Sequence, residues 1–411
     1  MWFKKKHLLP FHQITLLLLF AISTNAYSKN PISIKTKHNV ILETINNLED
    51  LNIFYCSDTV NKDSVKAFPD LVYEYHLAEI SKQSPIDFDY NEYVRKYIDI
   101  YSLERREEVS QMLGLSKLYF PIFDEYLDKY QLPLELKYLA VVESALNPLA
   151  VSTSGAVGLW QFKINTARLF DLKVTSLIDE RMDPEKSTDA ACKYLKYLYK
   201  TFKNWHLAIA AYNTGPQPIR NAIERNNGET NFWKLYPYLP ESAQNYLSAF
   251  MAAAYIMNNY KDHGIIPTMP TADFFQTDTV MVSKPIDLKL TSDFLGIDLA
   301  VIQFLNPEYK LNFIPENTDY SIIRLPSDKI DKFVKNEQKI IKQTNKTTAL
   351  LNNEQEISKT NKITYTVKDG DSMHRIAINF NCTIKELQNW NPSIDTVLYK
   401  GQQLVIWTIE N

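Results

Sequence analysis

The chain has 411 residues, of which 45% are hydrophobic and 12% aromatic, with a formal net charge of −3. That length exceeds one ordinary core and predicts a globular protein of two to four domains. The near-neutral balance gives no case for a nucleic-acid partner or for bulk electrostatic attachment to a membrane.

The first elements read as export machinery. Lys4, Lys5 and Lys6 precede an apolar run at 14–22 and a small-residue site ending at Ala26, which predicts a secretory signal peptide over 1–26. The run is short for a membrane span, although a signal retained as an anchor is the alternative. No cysteine lies near the cleavage site, so no lipobox is encoded. The expected location is therefore outside the cytoplasm, periplasmic or otherwise associated with the cell envelope. Residues 27–88 form an N-terminal helical region, with helix-like stretches at 40–51 and 69–80 and no interpretable motif. The cysteines Cys56, Cys192 and Cys382 make neither a disulfide framework nor a zinc spacing. A Cys56–Cys192 bridge and buried free thiols both stay open. The histidines show no metal-binding spacing, so no metal and no cofactor are expected.

From Asp89 the helical pattern strengthens and continues through 184–203, 205–212, 217–226 and 241–260, with no convincing strand. This predicts an all-α domain over 89–268. Its centre is VVESALNPLAVSTSGAVGLWQF. Leu134, Tyr138, Val141, Val142 and Ala145 recur at helical steps, Pro133 fits the first turn, and Pro148 ends the helix. Glu143 sits between apolar neighbours near the partially negative helix end. Both features disfavour the carboxylate and should hold its proton to higher pH, as a general acid requires. A loop with Asn147, Ser152, Ser154 and Gly155 follows. Gly158, Leu159, Trp160 and Gln161 then read as re-entry into helix. Among only nine glycines, Gly155, Gly158 and Gly215 gather around this centre. A second catalytic carboxylate, needed at roughly 5–9.5 Å by two-carboxylate glycosidases, is not evident. Asp171, Asp179, Glu180, Asp183 and Glu185 read better as a charged helix approach paired with Arg181, with Asp183-Pro184 opening the next helix.

The Glu143-Ser144 pair, the Gly158-Leu159-Trp160-Gln161 run and Ala211-Tyr212-Asn213 together resemble the motifs of the lytic murein transglycosylases, of the glycoside hydrolase 23 type. The resemblance implies a lysozyme-like all-α catalytic domain that cleaves peptidoglycan between MurNAc and GlcNAc. In that family one glutamate acts first as acid and then as base, and the product carries a 1,6-anhydroMurNAc end. By the same resemblance Glu143 is catalytic, while Ser144, Gln161, Tyr212 and Asn213 contact substrate. LPESAQNYL matches a fourth motif and adds Tyr246, although Ser242 and Ala243 stand where the family has Glu-Thr. A muramidase that hydrolyses the same bond, and a non-catalytic wall-binding protein, are the alternatives.

After residue 268 the texture changes to small β-α-α-β units. One covers 273–330, a polar stretch at 331–361 reads as a linker, and the second unit covers 362–408. The last unit, with Asp369-Gly370-Asp371-Ser372 and Asn389-Trp390-Asn391-Pro392, resembles the lysin motif (LysM), a glycan-binding module. That implies substrate contacts at Gly370, Asp371, Ser372 and Ile394. The 273–330 unit shares Leu305-Asn306-Pro307 and a closing strand but lacks the Gly-Asp-Ser turn, so it reads as a degenerate copy. The expected partner is the peptidoglycan glycan strand, with no nucleic acid and a peripheral position at the cell wall or outer membrane; other protein partners are unknown.

Overall fold

The computed structural model describes residues 67–408, apart from 272–273, 318–319, 358–360, 369–370, 372, 374–375, 378–379, 381–383 and 393–397. The signal segment 1–26, the helix expected at 40–51, Cys56, Cys382, Gly370, Ser372 and Ile394 lie outside the described residues. The fold is mainly α, with short antiparallel sheets at its C-terminal side. Among the described residues no helix is long and apolar enough to cross a membrane.

The helical domain is laid down by α1 (Asp70–Ser81), α2 (Glu92–Asp99), α3 (Arg106–Lys129), α4 (Tyr138–Ser144), α5 (Ile164–Leu169), α6 (Pro184–Phe202), α7 (Trp205–Thr214), α8 (Pro216–Arg225), α9 (Phe232–Leu235) and α10 (Glu241–Asn259). Local chemistry sets several starts. The Asn91 carboxamide accepts from the Tyr93 and Val94 amides at α2, and the Asp183 carboxylate does the same for Glu185 and Lys186 at α6, where Pro184 fills the first position. Helix α10 is buried from Tyr246 to Met257 and carries Ala249, Ala252, Ala253 and Ala254. Apolar on every side, it is the axis around which α1, α2, α4 and α7 pack. Tyr73 and Leu77 of α1, with Ile86 and Phe88, belong to this same core. The N-terminal region drawn to end at residue 88 is therefore continuous with the helical domain from residue 70 onward, because α1 buries its apolar face in that core.

Two small modules follow. In the first, β1 (Thr277–Val282) pairs antiparallel with β4 (Ser321–Pro326), and β2 (Ile286–Asp287) with β3 (Phe313–Ile314); α11 (Leu288–Leu295) and α12 (Leu299–Leu305) lie between. The stretch read as a polar linker is instead α13 (Ile330–Ile357). Phe333, Ile340 and Thr344 recur at helical steps and are buried, the first two in the core of the first module. Lys, Gln and Asn around them are ordinary surface residues of a helix, so low aromatic content concealed a narrow buried stripe. In the second module β5 (Asn361–Thr366) pairs antiparallel with β6 (Gln403–Thr408), with α14 (Ile384–Trp390) between them and Val367, Met373, Ile376, Leu387, Leu404 and Ile406 as its core.

Candidate active site

Helix α4 is shorter than its sequence suggests. A 3₁₀ turn occupies Leu134–Lys137, and α4 stops at Ser144 because Ala145 and Leu146 both adopt left-handed backbone, with φ of 52° and 65°. The stop precedes Pro148, so it is the left-handed cap and not the proline that ends the helix. Glu143 is left half-buried on the final turn, with buried Ser144 beside it.

The segment expected to re-enter helix does not. Val157 and Phe162 pair antiparallel, their amides and carbonyls bonding at 3.1 Å, and Gly158–Gln161 form the tight turn between them. Gly158 has φ +83°, and a Cβ there would lie 1.9 Å from the Arg181 carbonyl oxygen. Both the conformation and the close approach demand glycine. The Val157–Phe162 pair, with bridges at Val151↔Val157 and Val174↔Asp179, also supplies extended backbone inside a domain expected to be purely helical.

This turn meets every other part of the site. Ser144 Oγ donates to the Ala140 carbonyl at 3.1 Å and to the Leu159 carbonyl at 2.9 Å. Ser144 is fully buried and ties α4 to the turn. Trp160 is also fully buried; its indole donates to Thr188 Oγ1 at 2.9 Å, and its carbonyl accepts from the Tyr212 hydroxyl at 2.9 Å. Gln161 Nε2 donates to the Ala150 and Gly158 carbonyls at 3.2 and 2.9 Å. Its amide nitrogen is thereby committed to the loop, and the group left to face a ligand is its carbonyl oxygen. Asn147 is buried and accepts from the Leu149 amide, and Ser152 Oγ accepts from Ala156, so both shape the loop.

Close packing of α7 against α10 brings Tyr212 and Tyr246 to the same carboxyl. The Tyr246 hydroxyl feels the Glu143 carboxyl at close range, and burial, followed by the Glu143 charge, pushes its phenol well above the ordinary range. The same two causes, in the same order, raise Tyr212. Both phenols therefore stay protonated and able to donate. Tyr246 is only 4% exposed, so it serves as a partner of Glu143 more than as an open sugar contact. Asn213 follows half-buried on α7, one residue before Thr214, where the helix yields to Gly215.

The acids at 171–185 have other duties. Asp179 makes a two-pronged pair with Arg181 at 2.8 and 2.7 Å, and Glu180 accepts from the Lys173 amide and Lys186. Asp183 caps α6, Glu185 accepts from Arg324 at 2.8 Å, and Asp171 is exposed. Cys192 is a buried free thiol, pushed up to about 12 by burial. In the second module Asp371 accepts from the Tyr365 hydroxyl and the Lys368 amide, both at 2.7 Å, so its carboxylate organises the turn that carries it.

Sequence reasoning missed the reach of Arg181. Its Nη1 donates to the Gly155 and Phe162 carbonyls at 3.1 and 3.2 Å, on either side of the Gly158–Gln161 turn. An Asp-x-Arg spacing beside a glycine-containing loop is the one signal that pointed there.

Comparison with known proteins places these elements in families. Residues 121–235 match the Transglycosylase SLT domain, 276–342 the LysM-like domain of lytic transglycosylase MltD, and 365–407 the LysM domain. The chain is 30% identical over 283 residues to membrane-bound lytic murein transglycosylase D of Escherichia coli, covering 68% of this chain and 61% of that protein. It thus spans about three fifths of the length of that relative. Soluble lytic murein transglycosylase of Escherichia coli is 32% identical over 116 residues, 27% of this chain and 18% of that one. Membrane-bound lytic murein transglycosylase F of Pectobacterium atrosepticum is 32% identical over 127 residues, 28% and 24% of the two chains.

Proposed function

From a chain that carries a transglycosylase SLT domain followed by two LysM-type domains, we propose a peptidoglycan lytic transglycosylase in which Glu143 is both acid and base. The observation that carries this reading is the half-buried Glu143 carboxyl on the last turn of α4, with its charge acting on the buried phenols of Tyr246 and Tyr212, while Asp179, Glu180, Asp183 and Glu185 are engaged elsewhere. In its protonated form Glu143 delivers the proton to the glycosidic oxygen as the bond to C1 of MurNAc breaks. The C6 hydroxyl of the same sugar then bonds to C1, and its proton passes to the Glu143 carboxylate. The acid is regenerated, and no water is consumed. Donation from the Tyr246 hydroxyl stabilises Glu143 while it is charged between the two steps.

Tyr212 holds the Trp160 carbonyl and thereby the turn that offers the Gln161 carbonyl oxygen to a sugar hydroxyl. Asn213 stands beside it as a further contact. The second module, through Gly370, Asp371, Ser372 and Ile394, holds the enzyme to the glycan. The reading includes export to the cell envelope and peptidoglycan as the partner.

Mass spectrometry of muropeptides released by the purified chain tests the proposal. The expected products end in 1,6-anhydroMurNAc, lighter by one water than hydrolytic ends. Glu143→Gln should lower turnover by at least ~10²–10⁴-fold with unchanged circular dichroism. Reducing ends as the main product would make the protein a muramidase. Binding to sacculi with no released product would make it a wall-binding scaffold.

A further inference from the structure

The LysM-like module packs Phe304 of α12 into the helical core and, separately, joins the helical domain along a backbone seam. Ile178 pairs antiparallel with Tyr309. The Asp179 amide donates to the Glu308 carbonyl at 2.9 Å, and the Lys310 amide donates to the Leu177 carbonyl at the same distance. Lys310 Nζ adds a bond of 3.1 Å to the Thr175 carbonyl and stands 3.9 Å from the Asp179 carboxylate. On the module's side the segment is rooted in its sheet, where the Tyr309 hydroxyl donates to the Ile322 carbonyl at 2.6 Å. A second tie joins Arg324 of β4 to Glu185 of α6.

What the seam holds is the residue that holds the active-site turn. Asp179 is 2% exposed and Arg181 7%. The carboxylate fixes the guanidinium plane through two parallel bonds, and this aims Nη1 at the Gly155 and Phe162 carbonyls. The turn bounded by those carbonyls supplies the Leu159 oxygen to Ser144 and the Trp160 oxygen to Tyr212. A chain of direct hydrogen bonds therefore runs from Glu308 and Lys310 of the module to the residue next to Glu143 and to the tyrosine facing it.

We propose that the LysM-like module is a positioning element of the active site, with Arg181 as the positioning residue that transmits its hold to the Gly158–Gln161 turn. This rests on the reading of Glu143 as the catalytic acid. The module's backbone pairs the Asp179 amide and the Leu177 carbonyl, while the Leu177 and Ile178 amides are held within the segment by Thr175 Oγ1. Without that pairing Asp179 loses its fixed geometry, and Arg181 can no longer present its fork to both carbonyls at once. The module then has a use on substrates it does not bind, because it sets how well the catalytic groups are aligned.

The test uses the full chain with Lys310→Pro, which removes the amide that bonds Leu177, and separately Arg181→Lys, which keeps the charge but has no fork. Two readouts are taken: hydrogen exchange of the 155–162 amides by mass spectrometry, and kcat and KM on short soluble glycan strands. The expected result is exchange at 155–162 faster by about ten-fold, with kcat lower by ~10–100-fold and KM changed by less than about two-fold. Unchanged exchange, or faster exchange with wild-type kcat, overturns the proposal. If the proline unfolds the module altogether, the same loss of pairing is imposed in larger form, and a turn that still exchanges slowly overturns it equally. A wild-type chain that cleaves no glycan would remove the activity reading instead, while the exchange measurement still decides whether the module holds the turn.

Discussion

The two LysM-type modules are built on one plan, and they differ in what lies against them. In each, an asparagine just after the helix that precedes the closing strand pins that helix to the strand. Asn306 donates to the Ile302 and Arg324 carbonyls, both at 2.8 Å, and accepts from the Arg324 amide at 2.7 Å. Asn391 repeats the pattern with Leu387, Val405 and the Val405 amide at 2.7, 2.8 and 2.7 Å. Beyond that shared latch the first module is covered. Helix α13 packs on α11 and β2, and the Thr344 hydroxyl accepts from the Asp287 amide at the strand–helix turn. In the second module the Asp371 carboxylate instead ties β5 to the segment after it, through the Tyr365 hydroxyl and the Lys368 amide. The comparison teaches that one latch serves two settings: a face sealed by the chain's own helix and docked on the helical domain, and a module whose loop after β5 is tied from within.

The largest expected effect comes from removing the second module. A chain stopped after Ile357 should bind sacculi ~10²-fold less, since tethering and not chemistry is lost, and should turn over short soluble strands at the full rate. A chain stopped after Glu337 would suit a linker, but it also strips Ile340 and Thr344 from the first module and should lower both thermal stability and turnover. Pull-down and melting curves of the two truncations check this, and identical behaviour would mean that α13 is no part of the first module.

Next in size are the latches. Asn306→Ala and Asn391→Ala each leave buried backbone groups unpaired, so each should destabilise its module by ~2–4 kcal/mol. Only Asn306→Ala should reduce turnover on soluble strands, because among the described residues it is the first module that bonds to the helical domain. Equal effects on turnover would erase the distinction between the modules.

The smallest effect is a pH dependence at the seam. Half-buried Glu308 is pushed up to about 8, mainly by burial and then by the Asp183 charge, with Lys186 and Arg324 opposing; Asp183 is itself raised by burial. A carboxyl whose folded value exceeds its ordinary 4.5 contributes stability that is complete below that value and is lost as the pH rises through about 8. Glu308→Gln should therefore flatten the fall in melting temperature between about pH 5 and about pH 9 by roughly 2–4 °C. A variant with the same slope as wild type would show that Glu308 does not titrate across the seam.

Much of the active centre was legible because local rules govern it. The Glu143 helix follows from its apolar steps, the start of α6 from Asp183-Pro184, and the asparagines of the two modules from their Asn-Pro context. Glu143, Gln161, Tyr212 and Tyr246 were picked out by resemblance to family motifs, but the contacts they make were not. Ser144 and Tyr246 turned out to be buried partners because α4, α7 and α10 converge there, and convergence is a property of packing, not of neighbours in the chain.

What the sequence by itself determined was the order of elements: periodicity, caps and turn residues act over a few residues and leave a readable trace. Tertiary structure alone decided three things. The Gly158–Gln161 run is a hairpin turn because Arg181 backbone presses against Gly158. The polar stretch after residue 330 is a helix because it finds a core to cover with Phe333 and Ile340. The LysM-like module holds the 177–179 edge because its own backbone supplies the missing hydrogen bonds. Each depends on groups far apart in the chain meeting in space, where a buried amide without a partner is costly and a chance partner becomes structural.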